Sequence, residues 1–496
     1  MIEQSDERAD GGPVLQDADA AALSEFGYQQ ELPRVLKMWT NWAVGFAFVS
    51  PVVGLFTVFQ LGLATAGVMW IWAVPVVVLF QGIVALSYGP LAARWPIAGG
   101  IYQWSKRLVG PRYGWWAGWY YIAALVLSAS LTTYAGAIFL GHLLGIDPGP
   151  TKNHIFLALG LLSAITLVNV VGLKLLKVVV NFGVGAEIIA SVIIGLILLF
   201  FFRVVPEERV ITAAVPGGGA SIPAMVAVIA STAWLIVGFD ACGSVAEETK
   251  DAKRQVPRAM FLSVLAVGVI DILGAVAWTL AIPEGEYEGD PISSAVVNAF
   301  GGWAETPFLC VVLVSFIACG IATQGAATRV VWSFSRDGQI PGARIWRKVT
   351  AFNQSPTYAV LLVAVLSASA FLYANVLSVL VNFTAGAYYI GFLCPLAALL
   401  YHRLKKKWTD PIETPYSYGP AINTFLCAVG VTWLVFEIIN ISWPRASDLP
   451  WYENYGFFVG LGAWALIGGL YMWFAKPLQR TGSTAERVSV SEDRLG

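Results

Sequence analysis

The chain has 496 residues, 57% of them hydrophobic and only 12% charged, with a mean hydropathy of +0.69. Soluble domains carry about 25% charge, so this composition is that of a polytopic membrane protein. Thirty basic residues against 31 acidic ones exclude the positive field that a nucleic-acid partner requires. Five cysteines (Cys242, Cys310, Cys319, Cys394, Cys427) fall singly in or beside apolar runs, and His142, His154 and His402 lie near the ends of runs. Neither a disulfide framework nor a metal site or cofactor is expected.

Residues 1–36 read as a cytoplasmic N-terminal tail. They are polar and acidic up to Leu32, lack the basic and apolar regions of a signal peptide, and are expected to be disordered. Apolar runs of roughly 20 residues mark membrane spans. Twelve occur, near 38–60, 67–93, 113–145, 155–172, 176–202, 222–245, 258–282, 304–335, 356–374, 377–401, 420–442 and 454–475. The third and eighth are long enough to require tilt. They organise residues 37–476 as a permease-like membrane domain, with one five-span unit near 37–202, a second near 222–401, and two further helices near 420–475. Residues 477–496 form a C-terminal tail. With both termini in the cytoplasm, 26 of the 30 basic residues fall on that side. Only Lys152, Arg203, Arg209 and Arg445 lie opposite. This asymmetry orients the chain in a cell (inner or plasma) membrane.

Two spans carry breaks. In the first, Ser50-Pro51 and Gly54 interrupt the apolar helix near its middle, since proline removes a backbone donor and glycine admits close approach. In the sixth, Trp234–Thr249 reads WLIVGFDACGSVAEET and places Gly238, Phe239, Asp240 and Gly243 at mid-membrane depth. Irregular backbone survives there only where protein or a water-filled cavity surrounds it. Spans one and six are corresponding members of the two five-span units, and matched interruptions of that kind point to a transporter's binding site.

Between spans two and three, Pro96, Gly99 and Gly100 mark a turn, and Tyr102–Val109 reads as a short interfacial helix. Span six exits into EETKDAKRQVPR, whose Pro257 suits the first turn of span seven. PEGEYEGD (residues 283–290) is an acidic external loop, and span eight runs into AATRVVWSFSRDGQIPG.

The AGGIYQW segment, the GFDA break followed by EET, and the R-x-x-W-x-x-S-R-D-G-x-x-P run resemble the amino acid–polyamine–organocation permeases, most closely their amino acid/choline branch, which includes γ-aminobutyrate and choline permeases. The likeness covers spans one to ten. It implies an all-α membrane fold of twelve helices with a LeuT-like 5+5 inverted repeat, broken helices one and six, and alternating access around a midplane site. Two departures stand out. Tyr88-Gly89-Pro90-Leu91-Ala92 replaces a Glu-Leu-Ala-Ser-like run, and Gly243, Ser244 and Val245 stand where branch members often carry a histidine.

Candidate binding residues follow from the breaks. Ser50, Pro51, Val52, Val53 and Gly54 begin a half-helix whose freed N–H groups, around Val52–Gly54, suit a carboxylate. Carbonyls near Ile236–Gly238 suit an ammonium group, Phe239 is a candidate gate ring, and Asp240 either meets the substrate amine or orders the unwound backbone. Four acids lie within spans: Glu187, Asp240, Asp271 and Glu437. Each is a functional candidate, because a buried unpaired charge costs several kcal/mol. Glu187, 13 residues after Lys174, corresponds to where several sodium-independent relatives place a lysine facing span one, and it is the candidate proton-coupling carboxylate. Asp271 and Glu437 read as packing acids. Trp39, Trp42, Trp70, Trp72, Trp115, Trp116 and Trp119 read mainly as interfacial belts.

The expected protein is therefore a transporter rather than an enzyme, since no nucleophile–base pair, metal cluster or phosphate loop is present. Its expected partners are the lipid bilayer, a small amino acid such as γ-aminobutyrate or a neutral α-amino acid, and a proton in preference to sodium. Choline or polyamine uptake, amino acid exchange and substrate sensing are the alternatives.

Overall fold

The computed structural model describes residues 23–147, 151–206, 221–282, 291–350, 355–372, 377–412, 414–445 and 451–480. Over these residues the chain is almost wholly helical. Span one is α1 (Met38–Val49) and α2 (Pro51–Ala66), separated at Ser50. Proline lacks an N–H and favours a first turn, so a fresh helix begins at Pro51. A 3-10 turn, Gly67–Trp72, leads to α3 (Ala73–Arg94), then short α4 (Gly100–Leu108), α5 (Pro111–Leu144) and α6 (Thr151–Val171). Span five comprises α7 (Leu173–Glu187), a π-helical turn (Ile188–Ile193) and α8 (Ile194–Phe201). Span six comprises α9 (Ile222–Thr232), an unwound stretch and α10 (Ala241–Ser244). There follow α11 (Ala252–Ala281), α12 (Pro291–Phe300), α13 (Glu305–Arg336), α14 (Ala343–Trp346), α15 (Thr357–Ala370), α16 (Leu377–Leu404), α17 (Pro420–Ser442), α18 (Trp451–Asn454) and α19 (Gly456–Ala475).

Nine helical stretches among the described residues are long and apolar enough to cross a bilayer, the first being the 57 residues Met38–Arg94. At 1.5 Å per residue that stretch is far longer than a bilayer is thick, so it makes two passes, turning at Gly67–Trp72. With the shorter Ile222–Thr232 and Thr357–Ala370, the helices agree with twelve passes. Spans five apart in sequence pack on each other: α2 on α9, α3 on α11, α5 on α13, and α6 on α15. That pairing is what a 5+5 inverted repeat produces about its pseudo-twofold axis. Small residues permit the approach: a Cβ on Gly136 of α5 would stand 2.8 Å from Leu161 of α6 and 3.0 Å from Phe316 of α13.

Side-chain contacts show which loops share an end. Ala98 meets Glu247, Arg336 meets Glu247, Arg94 meets Thr409, and His402 meets Leu108. These segments, rich in lysine and arginine, form what is called here the basic end. At the other end Trp70 bonds Thr279 and Asn440 bonds the Val226 carbonyl. The alternation matches the sequence reading.

Four local expectations are corrected. Residues 23–36 are not a loose tail: Leu23, Leu32 and Leu36 are buried, and Leu36 pairs with Thr249 in a parallel bridge. These apolar residues are spaced among polar ones, so composition hides them. Helix α4 is not interfacial, for Gly100–Ser105 are buried and the Trp104 indole donates to the Trp95 carbonyl at 3.1 Å. Trp70 and Trp115 are core residues whose indoles bond Thr279 and the Gln339 carbonyl, whereas Trp39 and Trp72 are exposed as expected. Pro257 lies inside α11, which already starts at Ala252. The external loop expected at 283–290 lies outside the described residues, as do 1–22 and 481–496 of the two tails.

Candidate functional site

The two breaks face each other. A Cβ on Gly54 would stand 3.2 Å from Leu235 Cδ2, and the Phe48 ring packs over Gly238. Ser50 has φ 47°, a left-handed conformation that a non-glycine residue adopts only when its surroundings enforce it. Its amide closes α1 on the Phe46 carbonyl at 2.8 Å, and its hydroxyl accepts from the Val53 amide at 3.2 Å, so one residue caps both half-helices.

Glu187 completes this break from span five. Its Oε1 accepts from the Ser50 hydroxyl and its Oε2 from the Val52 amide at 2.9 Å. The carboxylate thus sits at the N-terminus of α2, where free amides and the helix dipole favour negative charge. The Val52–Gly54 amides, expected to be open to a ligand, are all engaged: Val52 by Glu187, Val53 by the Ser50 hydroxyl, and Gly54 by the Ser50 carbonyl at 2.9 Å. The π-helical turn begins immediately after Glu187, and Ser191 within it donates to the Glu187 carbonyl. Such turns are frequent at functional sites, because one extra residue re-aims the side chains beside it.

In span six, Ala233–Ile236 form turns and Gly238 has φ +87°. Phe239 is buried between Tyr88 and Phe392, with ring centroids 6.1 and 5.2 Å away. Asp240 accepts from the Tyr121 hydroxyl through Oδ2, while Oδ1 has no hydrogen-bond partner. Tyr388 stands edge-on to Phe48 at 6.5 Å and near Tyr121 at 6.1 Å. The sequence reading missed this aromatic wall of Tyr88, Tyr121, Tyr388 and Phe392. Its signal was aromatic residues inside spans three and ten rather than at their ends, with Tyr88 added from near the end of span two. Cys319 of α13 also reaches the break, donating to the Phe48 carbonyl at 3.3 Å.

At the basic end the three sequence motifs converge. Glu247 accepts from the Ala98 amide at 3.0 Å and pairs with Arg336 at 2.8 Å; Glu248 pairs with Arg329. Ser333 donates to the Ala98 carbonyl at 2.9 Å. Asp337 meets Lys106 at 2.7 Å, the Tyr102 hydroxyl at 2.6 Å and the Tyr28 hydroxyl at 3.0 Å. Burial would push the Asp337 carboxyl up, but Lys106, Tyr102 and Arg336 outweigh burial and hold it below its ordinary range. Burial likewise opposes the Lys106 ammonium, yet Asp337 carries it above its usual value. Residues 23–36 strap over this network, with Gln30 donating to the Glu247 carbonyl at 3.0 Å and Val35 and Leu36 amides bonding the Glu248 carbonyl.

The family model described as "Amino acid permease" matches residues 39–465. The chain belongs to that family. The permease is 29% identical over 388 residues to the amino-acid permease BAT1 of Arabidopsis thaliana, covering 72% of this chain and 75% of the relative. It is 25% identical to the low-affinity putrescine importer PlaP of Escherichia coli, covering 83% and 92%. To the choline transporter of Saccharomyces cerevisiae it is 24% identical, covering 87% and 79%. In fold it is similar to Mhp1, a nucleobase-cation-symport-1 family transporter solved in a closed conformation, with TM-score 0.56, 14% identity and coverage of 94% and 98%. The permease is thus a multi-pass transporter of small molecules, in the amino acid–polyamine–organocation superfamily, with a LeuT-like fold.

Proposed function

We propose that this permease carries a small amino acid across the cell membrane by proton symport, with the basic end and both termini in the cytoplasm. The observation that carries the reading is the Glu187 carboxylate seated on the Ser50 hydroxyl and the Val52 amide. A substrate carboxylate needs that same helix N-terminus. Protonation turns Glu187 from an anion into a neutral group, a weaker acceptor, and so frees the Val52 amide for the incoming carboxylate. Proton and substrate then bind together, which is what symport requires. Carbonyls around Ile236–Gly238 and the free Oδ1 of Asp240 receive the substrate amine, with Phe239 closing over it. The ion-paired basic end is the closed gate of this state, and rocking of the repeat units would open it while the other end closes.

A second reading has one observation in its favour. Tyr88, Tyr121, Phe239, Tyr388 and Phe392 surround the Asp240 region, and aromatic faces with a nearby acid suit a cationic amine. The similarity to a putrescine importer of Escherichia coli and a choline transporter of Saccharomyces cerevisiae agrees with an amine as cargo. Uptake of labelled γ-aminobutyrate, alanine, putrescine and choline into proteoliposomes, under an imposed pH gradient with and without sodium, separates the readings. The proposal expects gradient-driven uptake of an amino acid without sodium. Uptake of putrescine or choline alone would favour the second reading, and strict sodium dependence would refute proton symport.

A further inference from the structure

Away from the breaks, a second set of buried polar groups joins span eleven to the unwound turn of span six. Glu437 of α17 is fully buried, and its Oε2 has no hydrogen-bond partner. Its Oε1 accepts from the Asn440 side-chain amide at 3.2 Å, and that amide also donates to the Val226 carbonyl of α9 at 2.9 Å. Asn440 is gripped by the exposed Arg445, whose guanidinium donates to its carbonyl at 2.7 Å and to its side-chain oxygen. Inward, Glu437 lies within electrostatic reach of Tyr389 of α16. The Tyr389 hydroxyl donates to the Ala233 carbonyl at 3.5 Å, where span six starts to unwind. Gln81 of α3 and Trp433 of α17 lie against that same hydroxyl.

An acid serving only to pack α17 would have both oxygens bonded, because buried polar atoms are paired in nine cases of ten or more. Here Oε2 is left unbonded, while a bonded chain from Oε1 through Asn440 to the exposed Arg445 reaches the surface at the end opposite the basic one. The charged and titratable neighbours of Glu437 are Tyr389 from α16 and Arg445 beyond α17. From α3 and α9 come the neutral Gln81 and backbone carbonyls. A lone carboxylate with a polar route to solvent is built to take up and give back a proton.

We propose that Glu437 is a second proton-binding carboxylate, reached from the non-basic end along Arg445 and Asn440, whose charge biases the turn of span six at Ala233 through Tyr389. Solvent water admitted beside Arg445 and Asn440 delivers the proton to the carboxylate and takes it back as hydronium; the guanidinium and the amide line that route without exchanging protons themselves. The proposal rests on the proton-driven reading but does not require Glu187 to be the other carboxylate, and its test keeps the two apart.

The probe is the proton itself. Infrared difference spectra of the full-length protein in proteoliposomes, stepped from high to low pH, register each carboxyl that becomes protonated. Glu437→Gln is expected to remove one band that Glu187→Gln leaves in place. Arg445→Gln is expected to keep that band but delay its appearance about tenfold after a step in external pH. Loss of a band in Glu187→Gln with none lost in Glu437→Gln overturns this proposal and spares the coupling role of Glu187. The opposite pattern supports this proposal and removes Glu187. Should Glu437→Gln fail to insert, Glu437→Asp replaces it: a shifted band supports the proposal, and a spectrum identical to wild type overturns it.

Discussion

The Oε2 atom of Glu187 accepts the amide of Val52 at 2.9 Å, so an acid from span five terminates the helix that restarts in span one. Everything proposed about coupling turns on that bond, and Ser50 holds its geometry. Ser50→Ala removes the hydroxyl that bonds Glu187 and caps Val53 while keeping a Cβ in a left-handed conformation. Ser50→Gly removes the hydroxyl and the conformational penalty together. Ser50→Ala is expected to cost about 2–3 kcal/mol and Ser50→Gly about 1 kcal/mol less than that. Thermal unfolding in detergent reads the order, and a Gly variant no more stable than the Ala variant would contradict it.

Gly238 tolerates no side chain for two independent reasons. Its φ of +87° disfavours one, and a Cβ there would run into the Phe48 ring of the facing break. Gly238→Ala is expected to lose 2 kcal/mol or more (about the sum of a backbone and an overpacking penalty) and to abolish uptake. Wild-type uptake by this variant, measured at equal amounts of folded protein on size exclusion, would show that the two breaks are not packed as described.

The Glu247 pair with Arg336 and its bond to the Ala98 amide hold the basic end shut, and Cys242 on α10 is buried behind it. Glu247→Gln keeps the shape but removes the charge. Labelling of Cys242 by a membrane-impermeant thiol reagent, with Cys310 and Cys394 replaced by serine, is expected to quicken about tenfold in this variant. An unchanged rate would mean that the pair is not a gate.

Asp337 gives the same end a pH dependence. Its folded value is depressed, so its contribution is whole above the unfolded value of about 4 and is lost as pH falls through the lower folded one. Lys106, raised in the fold, contributes fully below about 10.4 and loses its effect as pH rises beyond its folded value. Cys242 labelling, divided at each pH by that of a small free thiol to remove the loss of thiolate, should therefore be slow across the neutral range and accelerate at acid pH. Asp337→Asn should label faster at neutral pH and lose the acid acceleration. Acid acceleration that persists in Asp337→Asn would assign the pH response to another group.

Much of the architecture was legible in the sequence because a bilayer imposes few solutions. Apolar run length gives the passes, the lysine and arginine asymmetry orders the ends, and proline and glycine locate the breaks at Ser50–Gly54 and near Gly238. What stayed hidden were relations between spans. Glu187 was identifiable as an unusual acid, but its reach to Val52 depends on how spans one and five pack. Trp70 and Trp115 resemble belt residues by position, and only packing shows their indoles bonded inside the core. The EET and S-R-D motifs signalled a family without revealing that Glu247 and Arg336 meet. Leu23, Leu32 and Leu36 lie in a polar stretch whose average composition conceals their burial.

The most direct test of the coupling claim is pH-gradient-driven uptake set beside counterflow, in proteoliposomes of wild type and Glu187→Gln, with the substrate that the uptake panel identifies. Counterflow needs only the carrier; gradient-driven accumulation needs the proton-binding group. The account predicts that Glu187→Gln retains counterflow within about a factor of three while accumulation under one pH unit falls from about tenfold to equilibrium, since one proton per cycle carries about 1.4 kcal/mol at that gradient. Accumulation by Glu187→Gln equal to that of wild type would contradict it.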